Sequence, residues 1–162
     1  MRIRTDNPRE VGADRIVNAV AAIASFGGPV IVVDFGTATT FCAITAEREY
    51  LGGIILAGLR ISMEALEKKT AKLPSVEIMK MSQVLGRSTV ESIQSGLYFG
   101  QIGMIKEIKH RLTKEVFGSA PPLTIGTGGF SGLFEDYGLF DVVTPDLVLK
   151  GLHLALKTNP YR

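Results

Sequence analysis

A turn of glycine and threonine follows a short apolar run in this chain, and its groups could hold an anion. Residues 30–33 are four β-branched side chains in succession, which is typical of a buried strand. Asp34 comes next and could hold a cation or a water. Gly36 lets backbone N–H groups approach an anion, and Thr37 adds a hydroxyl, as do two further threonines at 39 and 40. The alternative interpretation of the same residues is an ordinary polar hairpin.

Composition indicates one soluble globular domain and argues against several classes of partner. The chain has 162 residues, of which 46% are hydrophobic and 21% charged. Its net charge is +2 and the basic residues are scattered, so we expect no nucleic acid partner. A single cysteine, Cys42, excludes a multi-cysteine zinc site and suits a reducing cytoplasm. No apolar run is long enough to span a bilayer, so we expect no membrane association.

Periodicity predicts a mixed α/β arrangement. An apolar pattern at helical spacing covers 8–26, between Pro8 and a Gly27-Gly28 pair that can end the helix. Three strands should follow, and then alternating helices and strands, which favours a mixed sheet of about five strands flanked by helices. The predicted strands are at 30–35, 39–45, 50–56, 123–125 and 140–143. The predicted helices that follow the first one are at 59–69, 89–117 and 146–157, with a short helix that ends near residue 137.

The long predicted helix at 89–117 carries glycines in its middle. Ser88 or Thr89 should cap it, with a glutamate near the spacing of a capping box. Gly96, Gly100 and Gly103 each weaken the helix intrinsically. Glycines at this spacing favour close packing against another element, and we expect this helix to form a homodimer interface.

Four sequence blocks together resemble the type III pantothenate kinase family, of the actin-like, sugar-kinase and Hsp70 type of ATPase. The resemblance covers essentially the whole chain. It implies an actin-like (ribonuclease H-like) domain at 29–162, preceded by a lead-in and interdomain helix at 1–28. The blocks are Asp6-Asn-Pro-Arg-Glu-Val-Gly-Ala-Asp-Arg15, continuing to Asn18-Ala-Val-Ala-Ala22; Asp34-Phe-Gly-Thr-Ala-Thr-Thr40; Gly52-Gly-Ile-Ile with Thr70-Ala-Lys-Leu-Pro74 and with Gly86-Arg-Ser-Thr89 to Gln94-Ser-Gly96; and Thr127-Gly-Gly129 with Pro145-Asp-Leu and Gly151-Leu.

One departure from the family pattern is large. Family members begin with a strand that carries an Asp-x-Gly-Asn-Thr phosphate loop, and this chain has no such segment. What remains resembles the C-terminal half of the enzyme. We therefore expect that catalysis needs the N-terminal half, supplied in cis or in trans, and that the chain is inactive without it.

The resemblance implies transfer of the γ-phosphoryl group of ATP to pantothenate, giving 4′-phosphopantothenate, the first step of coenzyme A biosynthesis. Asp14 would be the general base that accepts the proton of the primary hydroxyl. Arg15 would bind an anionic partner, and Gly12 and Ala13 would leave room for the substrate to touch the backbone. The alternative is a helix-start acid favoured by the helix dipole, beside a surface salt bridge.

The remaining site residues are also implied by the resemblance. Asp34 would bind a monovalent cation, K⁺ or NH₄⁺, and Mg²⁺ would accompany ATP. Thr89 would reach the pantothenate site across the dimer interface, although its alternative role is a plain helix cap. ATP would contact Gly36 and Thr37 at its phosphates and Thr127, Gly128 and Gly129 at its adenosine side, although a plain strand-to-helix turn fits the last three equally.

Two other functions compete with the kinase. A catalytically silent dimeric binding or regulatory module of the same fold would explain the missing phosphate loop. Against it, Asp14, Arg15, Asp34 and Thr89 are all present, and a drifting pseudo-kinase should have lost at least one. A different actin-like enzyme, such as a sugar kinase, is disfavoured by the block that ends at Arg15.

Overall fold

A six-stranded mixed sheet is the centre of the computed structural model, which describes residues 1–70 and 72–158. The strands lie in the order β1-β4-β3-β2-β5-β6. The pairs β1–β4, β2–β5 and β5–β6 are parallel, and β2–β3 and β3–β4 are antiparallel. The strands are β1 (Arg2–Ile3), β2 (Val30–Phe35), β3 (Ala38–Ile44), β4 (Glu49–Ala57), β5 (Leu123–Thr127) and β6 (Val142–Val143).

The helices begin and end where local signals favour it. Helix α3 starts with a capping box, because Ser88 Oγ accepts from the Glu91 N–H at 3.1 Å and Glu91 Oε2 accepts from the Arg87 N–H at 2.7 Å. The helices are α1 (Ala13–Phe26), α2 (Leu59–Lys69), α3 (Thr89–Leu112) with a π-helical turn at Thr113–Phe117, and α4 (Leu147–Thr158), with 3₁₀ helices at Pro8–Glu10 and Ser131–Tyr137.

Successive residues of β2 point to opposite faces of the sheet, and each face buries its own apolar cluster. Val30 and Val32 pack with buried residues of α1, and Leu147 of α4 joins the same cluster. Ile31 and Val33 pack instead with buried residues of α3, including Tyr98. Helices α1 and α4 therefore cover one face of the sheet, and α2 and α3 cover the other.

The predicted α/β class is confirmed, as is a mixed sheet flanked by helices. The sheet has six strands, because the two-residue strand β1 pairs with β4 where the sequence indicated only an extended lead-in. The first predicted helix is divided into a 3₁₀ helix at Pro8–Glu10 and α1. The boundary placed after residue 28 stays a prediction, although α1 packs into the core of the sheet.

The expected close packing of the α3 glycines is wrong within this chain. A Cβ built on Gly96, Gly100 or Gly103 meets no atom of the described residues within 4 Å. These three positions are spaced by four and three residues, so they lie on one face of the helix. That face is open along its middle.

Candidate active site

The first turn of α1 carries the two charged residues singled out by the sequence. Gly12 is its N-cap, Asp14 lies in the first turn and is exposed, and Arg15 is half-buried. The Asp14 carboxylate folds back over Gly12, because a Cβ on that glycine would lie 2.6 Å from Asp14 Oδ1. An exposed carboxylate at the start of a helix is accessible to a substrate hydroxyl.

Asp34, at the end of β2, is tied to the same helix by a side chain that the sequence did not single out. Asn18 is only 2% exposed, and its Nδ2 donates to Asp34 Oδ2 at 2.8 Å. Asn18 follows Asp14 by four residues, so both lie on one face of α1. The helix thus brings Asp14 and Asp34 to one end of the sheet.

The pKa of Asp34 reflects its burial and its proximity to Asn18 and Asp14. Partial burial raises the pKa of the Asp34 carboxyl group above its ordinary value. The hydrogen bond from Asn18 opposes that rise in pKa, while the nearby Asp14 carboxylate adds to it. Two carboxylates that sense each other across this gap form a region of negative potential, which suits a cation.

A buried polar pair lies near Arg15. Cys42 Sγ and Tyr50 Oη are 3.4 Å apart, and both side chains are buried. Burial raises the pKa of the Cys42 thiol and of the Tyr50 hydroxyl, so both remain neutral at pH 7. Arg15 is close enough to Tyr50 to lower the pKa of its hydroxyl in part. Cys42 is thus a free thiol buried as a small side chain of strand β3.

A cleft of about 560 Å³ borders the Gly36–Thr37 turn. It brings together three of the residues predicted to bind ATP, namely Gly36, Thr37 and Gly129. Arg60 and Glu64 of α2 also line it, although no sequence motif pointed to them. Glu64 pairs with a lysine one turn later, whereas Arg60 makes no ion pair with the described residues.

Two glycines let neighbouring segments approach this turn. Gly128 has a φ of +87°, and a Cβ there would lie 2.5 Å from Asp34 Oδ1 and 2.8 Å from the backbone of Phe35. A Cβ on Gly58, at the start of α2, would overlap the carbonyl oxygen of Thr37 and lie 2.9 Å from that of Gly36. Both positions exclude a side chain, so the backbone of each segment packs directly against Asp34 or the turn.

The hydroxyls of the predicted site are not equally accessible. Thr37 is exposed at the turn, but Thr39 is buried on the α3 face and accepts from Gln101 Nε2 at 3.2 Å. Thr127 is 2% exposed, and its hydroxyl donates to Pro145 O at 3.4 Å. The Thr127 hydroxyl therefore fixes the segment that leads into α4. Gly129, in contrast, lines the cleft.

Thr89 is the one predicted site residue that the fold keeps apart from the rest. It is the exposed first residue of α3, on the face of the sheet opposite to α1. There it lines a separate groove of about 530 Å³ between α2 and α3, next to Gly96. Within one chain, Thr89 does not meet Asp14.

Neither a multi-ligand metal centre nor a membrane-spanning helix occurs in the part of the chain that is described. Among residues 1–70 and 72–158, no three His, Cys, Asp or Glu side chains are grouped as metal ligands. Within the same ranges, every helix is too short or too polar to cross a bilayer. Asp34 Oδ1 accepts no hydrogen bond from the described residues.

Comparison with known proteins agrees with these features. The family model described as type III pantothenate kinase matches residues 1–111. A type III pantothenate kinase of Legionella pneumophila (strain Corby) is 56% identical over 160 residues, which cover 98% of this chain and 62% of that protein. Type III pantothenate kinase 1 of Francisella tularensis subsp. holarctica (strain LVS) is 49% identical over the same span, with the same coverage. The chain thus spans 62% of the length of these curated relatives.

One solved structure shares the fold. It is the crystal structure of a conserved protein of Campylobacter jejuni described as a Baf family transcriptional activator. The TM-score is 0.66 at 24% sequence identity, and the match covers 98% of this chain and 69% of that one. At this identity the likeness supports the architecture alone.

Proposed function

The chain belongs to the type III pantothenate kinase family, and we propose that it forms the larger part of an enzyme that phosphorylates pantothenate with ATP. The product is 4′-phosphopantothenate, the first intermediate on the route to coenzyme A. The observation that carries the proposal is the pairing of an exposed Asp14 with a partly buried Asp34, joined through α1 and adjacent to the Gly36–Thr37 turn. Phosphoryl transfer to a hydroxyl needs such a base, a cation and an anion-binding turn together.

Asp14 acts as the general base in this proposal. Its exposed carboxylate can accept the proton of the primary hydroxyl of pantothenate as that oxygen attacks phosphorus. Arg15 binds the carboxylate of pantothenate, because a guanidinium forms charge-assisted hydrogen bonds to such groups. The backbone at Gly12 and Ala13 completes the pantothenate contacts.

Asp34 binds a monovalent cation, K⁺ or NH₄⁺, beside the transferring phosphoryl group. A partly buried carboxylate with one oxygen free of described donors suits such an ion. ATP supplies the phosphoryl group, with Mg²⁺ bound to its phosphates. Gly36 and Thr37 contact those phosphates, and the loop at Gly128 and Gly129 borders the adenosine.

Thr89 completes the pantothenate site from a second copy of the chain. Since α1 and α3 cover opposite faces of the sheet, Thr89 cannot reach Asp14 of its own chain. In this proposal a homodimer brings the first turn of the partner's α3 to the site. The remaining 38% or so of the relatives' length, which includes a phosphate loop in the family pattern, is proposed to act in cis or in trans.

The test is pantothenate-dependent ADP release in the presence of KCl or NH₄Cl. The chain is assayed alone and mixed with the segment of the Legionella relative that it does not match. We expect release in the mixture, and release about 10²–10⁴-fold slower when Asp14→Asn replaces the unmodified chain. A mixture that neither releases ADP nor binds pantothenate in calorimetry would refute the assignment. Pantothenate binding without ADP release would favour the regulatory alternative instead.

A further inference from the structure

We propose that Asn18 is a positioning residue, which holds the Asp34 carboxylate in a fixed place relative to the catalytic turn of α1. The inference rests on the proposed function of Asp14 and Asp34. It adds a residue to the site that does not touch the substrate. Its evidence is the hydrogen bond of 2.8 Å from Asn18 Nδ2 to Asp34 Oδ2.

The geometry makes this bond a direct link between two elements. Asn18 lies one helical turn after Asp14, and it reaches from α1 to the end of β2. Its amide donates to Oδ2 of Asp34, while Oδ1 accepts no hydrogen bond from the described residues and lies against Gly128, where a Cβ would be 2.5 Å away. One carboxylate oxygen is therefore fixed by the helix, and the other is left without a donor among the described residues.

The surroundings of Asn18 show that packing does not explain it. It is 2% exposed, and its immediate neighbours on the buried face of α1 are alanines at 0% exposure, Ala19, Ala21 and Ala22. Its own Oδ1 is buried and accepts no hydrogen bond from the described residues. A buried acceptor without a partner destabilises a fold, so an apolar residue would suit this core better. Among the described residues, the hydrogen bond to Asp34 is the one favourable polar contact that this side chain makes.

The type of side chain also follows from the neighbouring charges. An aspartate at position 18 would fit the same volume, but it would place a third carboxylate beside Asp34 and Asp14. A leucine would fill the space and leave Asp34 without its donor. Only a neutral donor of this length both fits the gap and favours the ionised form of Asp34.

The experiment compares Asn18→Leu and Asn18→Asp with a matched control, Gln101→Leu. Gln101 is an equally buried amide, 2% exposed, that donates to Thr39 on the opposite face of the sheet at 3.2 Å. Each variant is assayed with the complementing segment of the relative. The readouts are kcat, the KM for pantothenate, the KCl concentration that gives half-maximal activity, and the thermal midpoint.

For Asn18→Leu we expect an unchanged or higher thermal midpoint and an unchanged KM for pantothenate. The half-maximal KCl concentration should rise, or kcat should fall, by about tenfold or more, as for other residues that orient a ligand. Asn18→Asp should be more impaired than Asn18→Leu, although it is closer in shape. Gln101→Leu should alter the thermal midpoint and leave the kinetic constants within about twofold. Kinetic constants of Asn18→Leu that match the unmodified chain would overturn the inference.

A spectroscopic readout separates this inference from the proposed function. The ¹³C resonance of the Asp34 carboxyl carbon should move in Asn18→Leu and stay in place in Gln101→Leu. If the unmodified chain shows no kinase activity with the complementing segment, the proposed function fails. The positioning inference is then tested by that resonance alone. A moved Asp34 signal in Asn18→Leu supports it, and an unmoved signal refutes it.

Discussion

At the scale of single residues, the proposed chemistry depends most directly on Asp14. Asp14→Asn keeps the size and polarity of the side chain but removes its capacity to accept a proton. We expect kcat to fall by about 10²–10⁴-fold, the usual contribution of a general base. Pantothenate affinity should change little, because Arg15 and the backbone still bind the substrate.

Steady-state kinetics on the complemented enzyme and calorimetric titration with pantothenate measure the two quantities separately. Asp6→Asn serves as the control, since Asp6 is an exposed carboxylate of the lead-in segment. Loss of pantothenate affinity in Asp14→Asn, with kcat retained, would assign Asp14 to binding.

Asp34 illustrates a conflict between stability and function. Burial raises its pKa in the folded protein above the value of about 3.9 in an unfolded chain. The folded state therefore holds the proton more tightly, so this group's contribution to stability falls as pH rises from about 3.9 to the raised folded value. Asp34→Asn removes this penalty, and Asn18 can still donate to the new amide oxygen.

We thus expect Asp34→Asn to be the more stable protein at neutral pH and to lose its response to K⁺. Urea titrations of both proteins between pH 3 and pH 7 test the first point. The difference in the free energy of unfolding should favour the variant increasingly as pH rises across this range. A difference that does not vary with pH would contradict the effect of burial.

At the scale of elements, the loop after β5 approaches the end of β2 as closely as its backbone allows. Gly128→Ala would place a Cβ against Asp34 Oδ1 and the Phe35 backbone, at a residue whose φ is +87°. We expect a loss of about 1–3 kcal/mol in the free energy of unfolding from the strained backbone, with the overlap adding to it. Gly129→Ala is the matched control, because no described atom lies within 4 Å of its Cβ position. Equal thermal midpoints for the two variants would contradict this account.

The elements that sequence predicted well are those with strong local signals. The β-branched run predicted strand β2, which lies at Val30–Phe35, and helical spacing predicted α2, which lies at Leu59–Lys69. Strand β1 was missed because two residues carry no periodicity, and pairing with β4 and packing of Ile3 on the core hold them in place. Local pattern therefore determines long elements, while short ones depend on their tertiary neighbours.

The residues of the candidate site show the same difference between local sequence signals and tertiary contacts. Motif residues such as Asp14 and Asp34 were identified because their sequence blocks resemble a family. Asn18 lies in the first of those blocks but received no role, and Arg60 was missed, since an asparagine within an apolar helical pattern and an arginine on a predicted helix surface look ordinary in isolation. Their significance comes from contact with Asp34 and from the cleft at Gly36–Thr37, and both arise only from folding.

At the scale of the whole molecule, the sheet separates the parts of the proposed pantothenate site. Asp14 belongs to the face covered by α1 and α4, and Thr89 to the face covered by α2 and α3. The open glycine face of α3 lies in line with Thr89, because Thr89 precedes Gly96 by seven residues, about two helical turns. A second copy that packs on this face would therefore contact the region around Thr89, on the opposite side of the sheet from Asp14 of the same chain.

Gly100→Ala tests whether that face is an interface. Alanine favours the helix over glycine by about 1 kcal/mol, and no described atom obstructs its Cβ, so the monomer should become more stable. A partner helix packed closely on the glycine would be pushed away. The dissociation constant of the dimer should therefore rise, and less urea should be needed to dissociate it.

Sedimentation equilibrium measures the dimer dissociation constant, and urea titration of dilute protein measures the stability of the monomer. Glu67→Ala, at an exposed position of α2, should leave both quantities within about 0.5 kcal/mol. A monomeric unmodified chain at micromolar concentration, or a Gly100→Ala dimer as tight as the original, would exclude this face as the interface.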